Sequence, residues 1–180
     1  MPLEYLVAKW KLWYKSLDVN HDGTISFADV EESRNKFTEL HGLDEEKKKQ
    51  VLENFENWWN IYIFKNKTGE ISEEDFVGTL TKEYIACKDT FIENMKKCFN
   101  TLFDVIDTNK DRSISEDEFL IAFKAYGHEN VALDKTFFTA YKPVNGLVSL
   151  RTIVDSWVDF VCSDDKDKPD VVKAGFESGV

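Results

Sequence analysis

Two stretches of twelve residues decide how this chain folds: residues 18–29 (DVNHDGTISFAD) and residues 107–118 (DTNKDRSISEDE). Both carry oxygen-bearing side chains at positions 1, 3, 5, 9 and 12, and both have isoleucine at position 8. A hard divalent cation takes about six to eight oxygen ligands, and this spacing lets one loop wrap them around a single point. The two stretches therefore predict two sites for calcium-like ions.

The spacing is that of the EF-hand, a helix–loop–helix unit whose loop also supplies a backbone carbonyl from position 7. In the first loop the predicted ligands are Asp18, Asn20, Asp22, Thr24 (through its carbonyl), Ser26 and Asp29. In the loop at 107–118 they are Asp107, Asn109, Asp111, Ser113 (through its carbonyl), Ser115 and Glu118. Because apolar residues recur at helical spacing before each loop, we expect a helix to enter it.

Each loop departs from the usual pattern at one position. Asp29 stands at position 12 of the first loop, where glutamate is usual, and its side chain is shorter by one methylene. The loss of a ligand oxygen favours lower coordination, so we predict that this site also admits magnesium. Arg112 stands at position 6 of the other loop, where glycine is usual, and should adopt a strained left-handed conformation. We expect that loop to prefer calcium.

Two degenerate copies of the loop fill the rest of the chain, at residues 64–75 and 141–152. Both keep glycine at position 6 and an apolar residue at position 8, but Phe64 and Tyr141 replace the acid at position 1. We expect the fourth loop, 141–152, to be empty and leave weak ion binding at 64–75 open. Position 8 of one loop should still form a short antiparallel bridge with its partner, which pairs Ile25 with Ile71 and Ile114 with Val148.

The predicted fold is all-α: four EF-hand units in two packed lobes, with short two-stranded bridges between paired loops. We place the lobes at residues 1–88 and 89–180, because no stretch rich in Pro, Gly or Ser separates them. After the fourth hand comes a charged tail in which Val171, Val172 and Phe176 could dock on the core.

Composition narrows the class of protein. The 180 residues carry a net charge of −11, which disfavours nucleic acid and anionic membranes as partners. No signal segment or membrane span is visible, and Pro2 occupies the place of the glycine needed for N-myristoylation. The three cysteines are widely spaced, which favours reduced thiols. We expect a cytoplasmic monomer without a lipid anchor.

The chain resembles the invertebrate sarcoplasmic calcium-binding proteins and their relative calexcitin over nearly its whole length. The resemblance rests on four hands in 180 residues, on NHDG at 20–23 with aspartate at position 12, and on FDVIDTN at 103–109 leading into a loop without glycine at position 6. It implies a compact, largely helical, cytosolic protein that binds calcium and magnesium. Members often keep a working second hand, and Phe64 departs from this.

Three functions remain open at this stage. An ion buffer or shuttle is favoured over a general calcium sensor because sensors often line their groove with methionine, and this chain has two. A calexcitin-like sensor with one dedicated partner is the alternative. A coelenterazine-binding protein is less favoured, since His21, His41 and His128 are expected to face solvent. No nucleophile–base motif or phosphate loop indicates an enzyme.

Overall fold

A computed structural model describes residues 2–180, which form nine α-helices, one π-helical turn and two three-residue strands. In chain order they are α1 (Pro2–Leu17), α2 (Phe27–His41), α3 (Glu45–Trp58), the π-helical turn (Trp59–Ile63), α4 (Glu73–Ala86), α5 (Lys88–Ile106), β1 (Ser113–Ser115), α6 (Glu116–Ala125), α7 (Val131–Ala140), β2 (Leu147–Ser149), α8 (Leu150–Cys162) and α9 (Val171–Glu177). Pairs of helices flank each of the four loops, as the predicted all-α fold requires.

A serine at position 9 of each loop starts the outgoing helix. Ser26, Ser72, Ser115 and Ser149 are the N-caps of α2, α4, α6 and α8. Serine is favoured at this position because its hydroxyl accepts a hydrogen bond from an amide of the first turn that has no partner within the helix. Each loop sequence therefore fixes where its outgoing helix begins.

Both predicted bridges are present. Ile25 and Ile71 form an antiparallel bridge whose two backbone N–H···O distances are 3.2 and 2.8 Å. Ile114 lies opposite Val148 in the antiparallel pair of β1 and β2. The first loop is thus joined to the second, and the third to the fourth, as the position-8 residues predicted.

The core is one connected aromatic cluster that runs through both halves of the chain. Trp10, Trp13, Trp58 and Trp59 are each at most 2% exposed. A buried indole N–H needs an acceptor, and Trp10 donates to the carbonyl of Val161 at 2.8 Å. This bond joins α1 to α8, so the two predicted lobes pack against each other.

The join between the halves is a single residue, Cys87, between α4 and α5. The boundary predicted at 88/89 falls at this join, and the division into two lobes there stays a prediction. In the tail, Val172 and Phe176 of α9 are buried and Val171 is half-buried.

Two histidines depart from the expectation that they face solvent. The ring of His128 lies between Phe123 and Phe176, with ring centroids 5.5 and 6.0 Å away. Burial lowers the pKa of His128 to about 4. His41 packs on Phe37 with centroids 4.6 Å apart. Phe176 belongs to α9, so the local sequence does not reveal its contact with His128, whereas Phe37 lies four residues before His41 in the same helix.

Two further observations concern membrane-spanning helices and the cysteines. Within residues 2–180 no helix is both long and apolar enough to cross a membrane. The three cysteines are free thiols, with Cys87 exposed and Cys98 and Cys162 buried.

Candidate metal centres

The third loop, residues 107–118, begins where α5 ends. Asp107 follows Ile106 directly and is completely buried. Its Oδ2 accepts the backbone N–H of Arg112 at 3.0 Å, whereas its buried Oδ1 has no donor among the described residues. A buried carboxylate oxygen without a partner is costly. A cation at this point would satisfy it, so the loop fits a metal ion.

Three acids of the third loop converge. Asp107, Asp111 and Glu118 each offer one carboxylate oxygen, and these oxygens lie within 4.8 Å of one another. Glu118 uses Oε1 to accept the backbone N–H of Ser115 at 3.1 Å, while its Oε2 lies 3.5 Å from the hydroxyl of Thr108. Glu118 thus helps to start α6 and also offers a carboxylate oxygen to the acidic cluster.

The remaining predicted ligands of the third loop close the turn around this cluster. Asn109 Oδ1 accepts the N–H of Asp111 at 3.2 Å, and Asp111 Oδ1 accepts that of Ser113 at 2.9 Å. Burial raises the pKa of Asp107, and the nearby Asp111 carboxylate adds to this increase. A bound cation would offset the repulsion between these carboxylates.

Arg112 has a φ of 63°, in the left-handed region predicted for it, and Lys110 has a φ of 56°. Asp104, one helical turn before the loop, contacts both side chains: its carboxylate lies 3.2 Å from Arg112 Nη1 and 3.6 Å from Lys110 Nζ. These contacts turn the two cationic groups towards α5. Asp104 therefore counters the positive charge that the sequence places inside an ion loop.

The first loop, residues 18–29, has the same turn with a glycine at its tightest point. Asp18 accepts the N–H of Asp22 at 3.2 Å and that of Gly23 at 2.8 Å. Gly23 has a φ of 89°, which glycine adopts without strain. Asp22 accepts the N–H of Thr24 at 3.0 Å, and this hydrogen bond lowers the pKa of Asp22.

Asp29 differs from Glu118 in how its carboxylate is used. Asp29 is completely buried, and its Oδ1 accepts the N–H of Asn20 at 3.1 Å while its Oδ2 accepts that of Ser26 at 2.8 Å. Burial raises the pKa of Asp29 in spite of these bonds. Both oxygens therefore brace the loop. Apart from the third-loop cluster, no group of three acidic, histidine or cysteine side chains in residues 2–180 converges this closely.

The two degenerate loops use position 1 for packing. Phe64 is 5% exposed within the core, and Asp75, at position 12 of the second loop, is exposed. In the fourth loop the hydroxyl of Tyr141 lies 2.7 Å from Ser156 Oγ. An aromatic ring at position 1 supplies no carboxylate, so we retain the prediction that 141–152 is empty.

Sequence reasoning missed Asp104 and the hydroxyl of Thr108, which lie outside the ligand positions. It also missed a contact between His21 of the first loop and Gly127 beyond α6, where Nε2 lies 3.0 Å from the carbonyl oxygen. No spacing rule connects residues so far apart in the chain.

Comparison with known proteins gives the family. No family model matches the chain. A sarcoplasmic calcium-binding protein of Mizuhopecten yessoensis is 52% identical over 176 residues, which is 97% of this chain and 99% of that protein. The chain belongs to the sarcoplasmic calcium-binding proteins. A second sarcoplasmic calcium-binding protein, of Hediste diversicolor, is 28% identical over 74% of each chain.

Two solved structures share the fold of this chain. The calcium-loaded apo form of a coelenterazine-binding protein from Renilla muelleri matches with a TM-score of 0.76 at 22% identity, over 96% of this chain and 95% of that one. The amphioxus sarcoplasmic calcium-binding protein matches with a TM-score of 0.60 at 19% identity, over 96% of each chain. The predicted family and the predicted EF-hand fold are both confirmed.

Proposed function

We propose that this sarcoplasmic calcium-binding protein buffers or shuttles calcium and magnesium through two loops, 18–29 and 107–118. The buried Asp107 Oδ1, which has no donor in the described chain, carries the proposal. It lies among three converging carboxylates in a loop with ligand spacing for calcium. The relatives at 52% and 28% identity are named as calcium-binding proteins, which supports the same activity here.

The two sites differ in the ion they favour. Glu118 offers a carboxylate oxygen to the acidic cluster of the third loop, so that site has the fuller set of protein ligands and favours calcium. Both oxygens of Asp29 are occupied by backbone amides, which leaves the first loop with fewer protein ligands. Magnesium keeps several of its own waters and tolerates such a site, so we assign mixed calcium and magnesium binding to residues 18–29.

A buffer fits the rest of the molecule better than a general sensor. Sensors open a flexible, methionine-lined groove when calcium binds, whereas this chain has two methionines and a tightly packed aromatic core. We infer a cytoplasmic monomer whose partners are ions, without catalytic activity and without binding to nucleic acid. A dedicated protein partner, as in the calexcitin-like alternative, would need a surface that calcium changes.

The likeness to a coelenterazine-binding protein raises the question of an apolar ligand. The apolar internal cavity lined by Trp13, Phe99, Phe123 and Trp157 has a volume of about 50 Å³. Pockets for ligands of drug size measure about 300–1,000 Å³. The core would have to open before a ligand of that size could enter, so we do not assign one.

Isothermal titration calorimetry with calcium, with and without magnesium, tests the proposal. We expect two calcium sites, of which the weaker is displaced by magnesium. Glu118→Gln should remove the magnesium-insensitive site, and Asp18→Asn should remove the other. Asp75→Asn in the second loop is the matched control and should leave both sites intact. The proposal would be contradicted if adding calcium gave no heat of binding, or if the titration showed four calcium-specific sites.

A further inference from the structure

The first ion loop contacts residues 126–130, the segment between α6 and α7, which is distant in sequence and is called the junction. Gly127 follows α6 with a φ of 88°, and a Cβ built on it would lie 2.4 Å from the carbonyl oxygen of Val19. The carbonyl of Gly127 lies 3.0 Å from Nε2 of His21. Val19 and His21 flank Asn20, a predicted ligand. The junction therefore touches the ion loop on both sides of a ligand.

Residue 127 must be glycine because a Cβ atom does not fit there. Real Cβ atoms do not approach backbone oxygens at 2.4 Å, so any side chain here would push the Val19 peptide and the loop outwards. Val19 is 2% exposed, so its side chain is packed within the core. His21 has a φ of 57°, a conformation that a side chain adopts with strain and that the bond to Gly127 helps to hold.

Other contacts hold the same two regions together. Lys36 of α2 lies 3.4 Å from Glu129, two residues beyond Gly127. Helices α2 and α6, the outgoing helices of the first and third loops, pack against each other. The ring of His128 is packed between Phe123 and Phe176, which anchors the junction in the core.

Helix α6 spans the distance between this junction and the third loop. It begins at Glu116, directly after Ser115, and Glu118 is its third residue; Ser115 and Glu118 are predicted ligands of the third loop. The helix ends at Ala125, two residues before Gly127. A packed helix moves as a rigid element, so a shift at one end reaches the other. Helix α6 thus connects the third ion loop to the backbone of the first.

We propose that His21 and Gly127 position the first ion loop, and that α6 couples the two sites so that an ion in the third loop strengthens binding in the first. The inference rests on the proposed function, because it needs ions at both loops. Coupling between sites is reciprocal, so an ion in the first loop strengthens binding in the third by the same factor.

The chain contains a matched control glycine. Gly42 ends α2 with a φ of 59°, but a Cβ built on it meets no atom within 4 Å. Gly42→Ala and Gly127→Ala therefore share the strain of a positive φ, and Gly127→Ala alone presses on the first loop. His21→Ala removes only the bond to the Gly127 carbonyl, so it remains informative if Gly127→Ala fails to fold.

The experiment is calcium titration of the full chain by calorimetry, together with NMR of the Gly23 amide, which donates to Asp18 Oδ2 at 2.8 Å. We expect His21→Ala to weaken the first site about three- to tenfold and to shift the Gly23 amide in the metal-free chain. Gly127→Ala should do more, and Gly42→Ala should leave the first site unchanged. Glu118→Gln should weaken the first site about fivefold or more, and less than that in a His21→Ala background.

The failures are distinguishable. If the unmodified chain binds no ion, the proposed function is wrong. If both sites fill but Gly127→Ala and His21→Ala match Gly42→Ala, these residues do not position the loop. If Glu118→Gln leaves the first site unaltered, the two sites are independent and the coupling is refuted.

Discussion

At the scale of single residues, the two ion loops differ at position 12, in how the carboxylate of that residue is used. Glu118 accepts the amide of Ser115 at the start of α6 and offers a carboxylate oxygen to the cluster with Asp107 and Asp111. The shorter Asp29 holds both oxygens against the amides of Asn20 and Ser26. We therefore propose that one methylene decides whether the residue at position 12 serves mainly as an ion ligand or as a brace within the loop.

Exchanging the two acids should exchange the ion preferences. Asp29→Glu should raise calcium affinity at the first loop by about one order of magnitude and reduce its sensitivity to magnesium, because an oxygen reaches the ion. Glu118→Asp is the reciprocal control and should make the third loop weaker and magnesium-sensitive. Calcium titrations at several magnesium concentrations measure both. Unchanged selectivity in both variants would show that position 12 is not the determinant.

A second residue-scale prediction concerns Asp134 of α7, which is completely buried and whose carboxylate oxygens find no donor in the described chain. Burial raises its pKa from 3.8 to about 7 in spite of Lys124. The folded state thus keeps a proton that the unfolded state releases. The contribution of Asp134 to stability should therefore fall as the pH rises between about 4 and 7, by up to about 1.4 kcal/mol per unit, whereas the lowered pKa of His128 contributes a slope of opposite sign below about pH 6.5.

Asp134→Asn should remove this part of the pH dependence and stabilise the protein at neutral pH. Urea unfolding of the metal-free chain at pH 5, 6 and 7 measures the effect without linkage to bound ions. Glu53→Gln, at an exposed position of α3, is the control and should retain the slope of the unmodified chain. Equal slopes for all three chains would contradict the buried, protonated state of Asp134.

At the scale of elements, Lys9 holds the tail that follows α8. Lys9 of α1 is completely buried and donates to the carbonyl of Ser163 at 2.7 Å and to the carboxylate of Asp170 at 3.3 Å. Burial lowers the pKa of Lys9, whereas Asp170 opposes that decrease. The same Asp170 caps α9 by accepting the N–H of Lys173 at 2.9 Å. Helix α9 is therefore held through its N-cap residue.

Asp170→Asn keeps the cap and removes the negative charge from beside Lys9. We expect a loss of about 1–3 kcal/mol in the free energy of unfolding, because a buried ammonium loses a charged acceptor. Asp165→Asn, in the exposed part of the same tail, should change stability by less than about 0.5 kcal/mol. Urea denaturation of the three chains checks this, and equal midpoints would contradict it.

At the scale of the whole molecule, aromatic packing limits what calcium can change. Trp157 contacts Phe99, Phe160 and Phe176, so α5, α8 and α9 share one cluster. A groove that opens on calcium binding would have to break this cluster. The packing therefore favours a molecule whose surface stays nearly constant when ions bind.

A fluorescent dye for exposed apolar surface tests that expectation. Its signal should change by less than about twofold when calcium is added to the chain, because the core remains closed. Phe176→Asp should loosen α9 and raise the signal with or without calcium, which shows that the dye can report opening. A large rise in the unmodified chain on adding calcium would favour the sensor alternative.

The positions of the loops, the outgoing helices and the bridges could be predicted because each depends on spacing within about a dozen residues. The contacts of His21 with Gly127 and of Lys9 with Asp170 could not, because they span 106 and 161 residues. His128, which was expected to face solvent, is half-buried for the same reason. Its burial depends on Phe176, a residue of the last helix.

The bonds of α1 also bear on the order of events during synthesis. Lys9 and Trp10 donate to Ser163, Val161 and Asp170, all in the last part of the chain. While the ribosome is still making the chain, the first helix has emerged but the acceptors of its buried ammonium and indole groups do not yet exist. Helix α1 can therefore reach its native contacts only after residues 161–170 have been made, and we expect its docking to follow the folding of the elements between them.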